Sequence, residues 1–117
     1  MPHPIVHFEI SGKDKQVLEA FYKDVFAWQI TPVMDEYSLV AKEEGGIGGG
    51  IGSRPGNPGH VTFYVQVDDV NAALALIESK GGQKAFGPHP VPDGGFIACF
   101  LDPEGHLVGI VQPPVKQ

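Results

Sequence analysis

The sequence has a single cysteine, Cys99, so an internal disulfide is excluded. Cys99 lies in an apolar run, where a free cysteine is usually a small buried hydrophobic residue, and a catalytic thiol is the less favoured interpretation. Long apolar segments are also missing, and residues 1–4 lack the charged start and apolar core of a signal peptide. We therefore expect a cytoplasmic protein with no membrane partner.

Basic residues are scarce as well. Eight Lys and Arg stand against fourteen Asp and Glu, which gives a formal net charge of -6 and a pI near 5.2. The few cations are scattered, so the chain has no basic footprint for a nucleic acid. The 117 residues suffice for one hydrophobic core, and we predict a single domain over residues 1–117.

What the sequence does contain is one pattern used twice. Residues 5–10 and 61–67 alternate apolar and polar side chains, as strands with one buried face do. Each strand is followed by apolar residues at helical spacing, which predicts helices over residues 13–26 and 69–80, the second capped by Asp68 or Asp69.

Three further strands are predicted in each half. In the first half they are residues 28–31, ended by Pro32, residues 37–41 and the glycine-rich stretch 45–52. In the second half they are residues 83–86 and a hairpin of residues 96–101 and 107–111, while the proline-rich residues 87–94 are predicted to be a loop. The fold class is therefore α+β, with two βαβββ modules at about residues 4–54 and 59–114 whose mixed sheets curve around a central cleft.

The glycine-rich stretch has two interpretations. A phosphate-binding loop would need a helix directly after it, but a Pro/Gly segment follows at residues 53–59. We therefore favour a strand whose glycines let another backbone or a ligand come close, joined to the second module by that segment as a linker.

Three motifs together resemble the glyoxalase, bleomycin-resistance and extradiol-dioxygenase superfamily, also called vicinal oxygen chelate proteins. They are His7 fourteen residues ahead of Phe21-Tyr22, the segment 67–73 (VDDVNAA), and the turn 102–106 (DPEGH). The resemblance spans essentially the whole chain. It implies the fold above and a homodimer, but it does not specify a reaction.

The resemblance also implies where a divalent metal would bind in metal-dependent members, namely at one residue from the first and one from the last strand of each module, typically His and Glu. His7 falls at the first position, whereas the second module has Thr62 there and His60 two residues earlier. The last-strand Glu corresponds to Gly109, and residues 45–66 contain no Asp or Glu. We expect no metal cofactor, with His7 and His60 as weak candidates for a divalent ion.

A pocket without metal is the alternative use of the cleft. Glu9 shares the face of His7, as an acid/base pair or, in the favoured interpretation, as part of a structural hydrogen bond. Hairpin parity, counted with Leu101 and His106 flanking the turn, puts Phe96, Phe100 and Gly109 on the cleft face. The predicted ligand-binding residues are His7, Glu9, Thr62, Tyr64, Phe96, Phe100 and Gly109, with His7 and Glu9 as the catalytic candidates, unless the aromatic side chains fill the cleft themselves.

Three functions stay open from the sequence. The favoured one is binding of a small organic molecule without metal, as bleomycin-resistance members do. The second is a divalent-metal-dependent lyase, isomerase or dioxygenase, and thus a lyase or oxidoreductase of this superfamily. The third is a non-catalytic partner or regulatory domain.

Overall fold

The computed structural model describes residues 2–53 and 59–114, which form eight strands and two helices. The predicted Pro/Gly linker therefore lies largely outside the described residues. By its contacts the chain divides into two units. We call Val6–Thr62 the N-terminal unit, and the residues from Phe63 onward, together with those before Val6, the C-terminal unit.

The N-terminal unit has the predicted βαβββ order. Its elements are β1 (Ile5–Gly12), α1 (Lys15–Phe26), β2 (Ile30–Met34), β3 (Tyr37–Val40) and β4 (Gly48–Ser53). The strand order is β2-β3-β4-β1, with β1 and β4 parallel and the other pairs antiparallel. Helix α1 begins after Asp14, whose carboxylate accepts hydrogen bonds from the backbone N–H groups of Gln16 and Val17.

The C-terminal unit repeats this order. Its elements are β5 (His60–Gln66, which begins in the N-terminal unit), α2 (Val70–Ser79), β6 (Gln83–Pro90), β7 (Phe96–Leu101) and β8 (Leu107–Gln112). The strand order is β5-β8-β7-β6, with β5 and β8 parallel. Asp69 caps α2, as predicted. The α+β class and the two mixed βαβββ modules are confirmed, while the extent of one domain over residues 1–117 stays a prediction.

In each unit the helix covers one face of the strands. Under α1 the buried residues are Ile10, Val40 and Ile51, with partly buried side chains from Phe8, Leu18, Tyr22, Trp28 and Ile30. Under α2 they are Val67, Val70, Leu74, Ala98 and Ile110, with Val65, Ala73, Ile77 and Phe100. Because strand side chains alternate between faces, the remaining side chains of each strand project away from the helix.

Two strand predictions were wrong at prolines. Pro32 lies inside β2 rather than ending it, and β6 continues through the predicted loop to Pro90. Both strands are at the outer end of the strand order of their unit, where one row of backbone groups has no partner strand to satisfy. The ladder also shifts register beside these prolines, between Pro32 and Met34 and between Phe86 and His89, so they sit where pairing is already interrupted.

The predicted face of the β7–β8 hairpin was wrong as well. Leu101 pairs with Leu107, so all five residues from Asp102 to His106 form the turn. This shift of one residue reverses the face assignment of β7 relative to β8. Gly109 therefore lies opposite Cys99, and Phe100 packs with the cluster under α2.

Candidate functional site

The glycine-rich strand β4 forms a floor on which aromatic rings lie. A Cβ atom at Gly49 would meet the ring of Phe8 on the helix side. On the opposite face, a Cβ atom at Gly50 would overlap the ring and hydroxyl of Tyr37, and one at Gly52 would approach the same ring. Only residues without a side chain allow rings to lie this close to a strand on both of its faces. The strand interpretation is therefore confirmed for Gly48–Ser53, whereas residues 45–47 of the predicted stretch precede the strand.

Tyr37 and His7 meet above this floor. The Tyr37 hydroxyl lies 3.0 Å from Nε2 of His7, and the two groups share a hydrogen bond. Either the Tyr37 hydroxyl donates to Nε2 of His7 or Nε2–H donates to the hydroxyl oxygen, depending on the imidazole tautomer. Tyr37 comes from β3 and His7 from β1, which are brought into range because both strands flank β4.

Burial determines the protonation state of His7 and of Tyr37. It lowers the pKa of His7 from its ordinary value, and the carboxylate of Glu9 opposes that effect without overcoming it. Burial also raises the pKa of the Tyr37 hydroxyl, and the charge of Glu9 raises that pKa further. At neutral pH the pair is therefore a neutral imidazole hydrogen-bonded to a neutral phenol.

A second polar pair lies in the same unit. Nε2 of His60 donates to Oε2 of Glu9 over 3.3 Å, and both side chains are only partly exposed. Glu9 follows His7 by two residues on β1, so both project from the same face. We call the surface formed by His7, Glu9, Tyr37 and His60 the polar face of the N-terminal unit.

The residues present do not fit the divalent metal that the family implies. In the described part of the chain, no three His, Cys, Asp or Glu side chains are grouped so that they could hold a metal ion. Nε2 of His7 is engaged with a phenol and Nε2 of His60 with a carboxylate. A site for such a cation needs several oxygen and nitrogen donors aimed at one point.

The C-terminal unit differs from the sequence prediction. Tyr64 is only 7% exposed, and its ring lies on Gly109, where a Cβ atom would overlap it. The space that Gly109 leaves is therefore filled by this protein's own side chain. Phe96 and Phe100 lie on the face of β7 opposite to Cys99, which is the helix side of the hairpin. The predicted placement of both phenylalanines on one face with Gly109 was therefore wrong.

The structure thus brings together part of the predicted set. His7 and Glu9 share the polar face and lie next to Tyr37 and His60, while Thr62 is a buried residue of β5 in the N-terminal unit. Sequence reasoning missed Tyr37. The signal was present, since Tyr37 and Leu39 alternate with Ser38 and Val40 on a strand beside glycines that leave room for a ring.

Comparison with known proteins identifies the family of this chain. The profile of the glyoxalase/bleomycin resistance protein/dioxygenase superfamily matches residues 4–110. The chain belongs to this superfamily. Curated relatives named "Putative glyoxylase CFP32", from Mycobacterium bovis and Mycobacterium tuberculosis, are 35% identical over 63 residues. That match covers 54% of this chain, and the chain spans about a quarter of the length of these relatives, 24%.

Several solved structures share the fold. Methylmalonyl-CoA epimerase from Mycobacterium tuberculosis aligns with a TM-score of 0.71 at 15% identity, over 95% of this chain and 88% of that one. A methylmalonyl-CoA epimerase in complex with methylmalonyl-CoA and NH4+ aligns with a TM-score of 0.71 at 19% identity, over 97% and 96%. At these identities the likeness shows the fold alone.

Proposed function

We propose that the polar face of the N-terminal unit binds a small organic molecule without a divalent metal. The observation that supports this most strongly is the His7–Tyr37 hydrogen bond above the glycine floor, next to the Glu9–His60 pair. His7, Tyr37, Glu9 and His60 thus place four hydrogen-bonding side chains on one face. Convergent polar groups of this kind are typical of a ligand site.

The chemistry of the face indicates what it would recognise. The neutral phenol and imidazole offer directed hydrogen bonds, and Glu9 adds an acceptor with negative charge. Leu39 projects from the same face as Tyr37 and is 43% exposed, so an apolar surface adjoins the polar groups. We therefore expect a ligand with a polar group for Tyr37 and His7 and an apolar body.

The superfamily supports this role without naming the ligand. One structural neighbour carries methylmalonyl-CoA in its complex, so this fold accommodates small-molecule ligands in at least one relative. The metal-dependent alternative gains no support from the donors of the polar face. The partner-domain alternative would leave these polar groups without a ligand, and it predicts that no fragment binds at the polar face.

Fragment binding followed by NMR tests the proposal. Nitrogen-15-labelled protein, purified without an affinity tag, is titrated with a library of small carbonyl, amide, amine and phenol fragments in buffer containing EDTA. We expect amide shifts that cluster at His7, Glu9, Tyr37 and Gly50 and that persist in the chelator. The proposal fails if shifts cluster elsewhere, or if binding disappears with EDTA.

A matched pair of variants sharpens the test. Tyr37→Phe removes the hydroxyl on the polar face, whereas Tyr22→Phe removes a hydroxyl from a ring that packs with the cluster under α1. We expect Tyr37→Phe to weaken fragment binding by about 10-fold, the typical value of one hydrogen bond, and Tyr22→Phe to leave it unchanged. Equal effects would remove Tyr37 from the site.

The homodimer and the cytoplasmic location remain part of the proposal. The dimer rests on the family resemblance and on exposed apolar side chains of α1, of which Val17, Phe21 and Val25 are more than half exposed. Sedimentation at micromolar concentration tests it, since a species of monomer mass alone would contradict it.

No helix in the described residues has the length and apolar character needed to cross a membrane.

A further inference from the structure

In each unit a tyrosine ring lies on a glycine of the last strand, on the face away from the helix. In the N-terminal unit Tyr37 covers Gly50, and in the C-terminal unit Tyr64 covers Gly109. In both cases a Cβ atom on the glycine would overlap the ring. The coincidence in two modules with different surrounding sequences indicates a shared structural requirement.

The register shows that the two glycines are equivalent. Gly50 pairs with Glu9, two residues after His7, and Gly109 pairs with Tyr64, two residues after Thr62. His7 and Thr62 are the corresponding first-strand positions of the two modules. Gly50 therefore stands in β4 where Gly109 stands in β8, which is the position that the family resemblance assigns to a metal-binding Glu.

We propose that the Tyr37 ring is a built-in occupant of the carboxylate position at Gly50, so that metal exclusion is a property of the polar face that exchanging this tyrosine–glycine pair reverses. Within the C-terminal unit, Tyr64 occupies the equivalent position at Gly109. A carboxylate at position 50 would need the volume that the Tyr37 ring fills. Gly50→Glu alone therefore cannot place its carboxylate beside His7. This inference rests on the proposed metal-free function of the same face.

Removing the ring changes the donor set. The Tyr37 hydroxyl lies above Gly50 and within hydrogen-bond distance of Nε2 of His7, so the vacated space adjoins that nitrogen. In the double variant Tyr37→Ala/Gly50→Glu a carboxylate enters this space opposite Glu9 on β1. Glu9 accepts from His60 through Oε2, and a metal would be held through its other oxygen. One imidazole and two carboxylates form a mixed nitrogen and oxygen set that suits Zn²⁺, Ni²⁺ or Mn²⁺.

Metal titration of four tag-free chains tests the inference. Wild type, Tyr37→Ala, Gly50→Glu and the double variant are titrated with Zn²⁺ and with Ni²⁺ by calorimetry, and retained metal is counted by mass spectrometry after desalting. We expect the double variant to retain about one ion per chain, with at least roughly 10-fold higher affinity than either single variant. Wild type and both single variants should retain none.

Three results would overturn the inference. One is stoichiometric metal in the wild type, which would also overturn the proposed function. Another is metal binding by Gly50→Glu as tight as that of the double variant, because the ring would then be no obstacle. The third is a folded double variant that binds no metal, which leaves the proposed function intact. If the double variant binds metal as expected but the wild type binds no fragment, only the proposed function is rejected.

A stability cycle covers the case in which the double variant does not fold. Gly50→Ala is measured by thermal unfolding in the wild type and in Tyr37→Ala. Because the added methyl group overlaps the ring, it should lower Tm in the wild type and have a much smaller effect once the ring is gone. Equal decreases in both backgrounds would show that the ring does not occupy the position.

Discussion

Replacement of Ser38 by alanine probes a buried polar network between α1 and β3. Ser38 is 0% exposed, and its hydroxyl donates to Oε2 of Glu19 over 2.6 Å and accepts from Nζ of Lys15 over 2.8 Å. Lys15 and Glu19 also contact each other directly at 2.7 Å. The substitution removes the serine oxygen that fixes both charged groups to the strand.

The size of the effect follows from these contacts. A hydrogen bond to a charged group contributes about 1.5–3 kcal/mol, and two are lost. The full sum is not expected, because the Lys15–Glu19 contact remains and the Glu19 side chain is 20% exposed, so water can replace part of the loss. We expect the free energy of unfolding to fall by about 2 kcal/mol, which for a chain of this size lowers Tm by about 8 °C.

Urea unfolding followed by circular dichroism measures this change. Ser79→Ala is the matched control, because the Ser79 hydroxyl donates to the carbonyl of Leu76 at an exposed position. We expect that control to change stability by less than about 0.5 kcal/mol. If Ser38→Ala lowers the free energy of unfolding no more than Ser79→Ala does, the network does not hold α1 to β3.

Three further predictions concern packing, titration and capping. Gly109→Ala should lower stability by about 1–3 kcal/mol, because the new methyl group displaces the ring of Tyr64; a neutral result in urea unfolding would contradict this contact. The pKa of His7 is lowered in the folded state, so its contribution to stability is present above its ordinary pKa of 6.5 and is lost as pH falls from that value through the folded pKa. His7→Asn should flatten this pH dependence of the free energy of unfolding, and an unchanged profile would contradict the prediction. Asp69→Ala should cost about 1 kcal/mol by removing the cap of α2, measured by thermal unfolding against Asp68→Ala as control.

The sequence was sufficient for the helices and the repeat. Apolar spacing placed α1 and α2 within two residues of their observed bounds, and Asp69 was one of two predicted caps. These features depend on neighbours only a few positions away in the chain. Sequence patterns over a few residues therefore predict the helices and the cap directly.

The faces of the hairpin strands were not predictable to the same degree. Period-two parity depends on the number of residues in the turn, and the turn of residues 102–106 holds one more residue than was assumed. Proline content was a misleading signal in β6, because an outer strand tolerates prolines where its register shifts. Both errors concern how a strand pairs with its neighbour, and the sequence of one strand does not specify that register.

The candidate site shows the same division. His7 and Glu9 were correctly placed on one face because they are two residues apart on a single strand. Tyr37 was missed because its contact with His7 joins residues thirty positions apart, through the β4 strand between them. The role of the glycines became visible only when the rings that lie on them were known.

The most direct test of the account is a crystal structure with the tightest-binding fragment, grown in buffer that contains a chelator. We predict that a polar atom of the fragment lies within hydrogen-bond distance of the Tyr37 hydroxyl or of His7, with no metal ion at either histidine of the polar face. A fragment bound away from this face, or a metal ion held by His7 and His60, would contradict it.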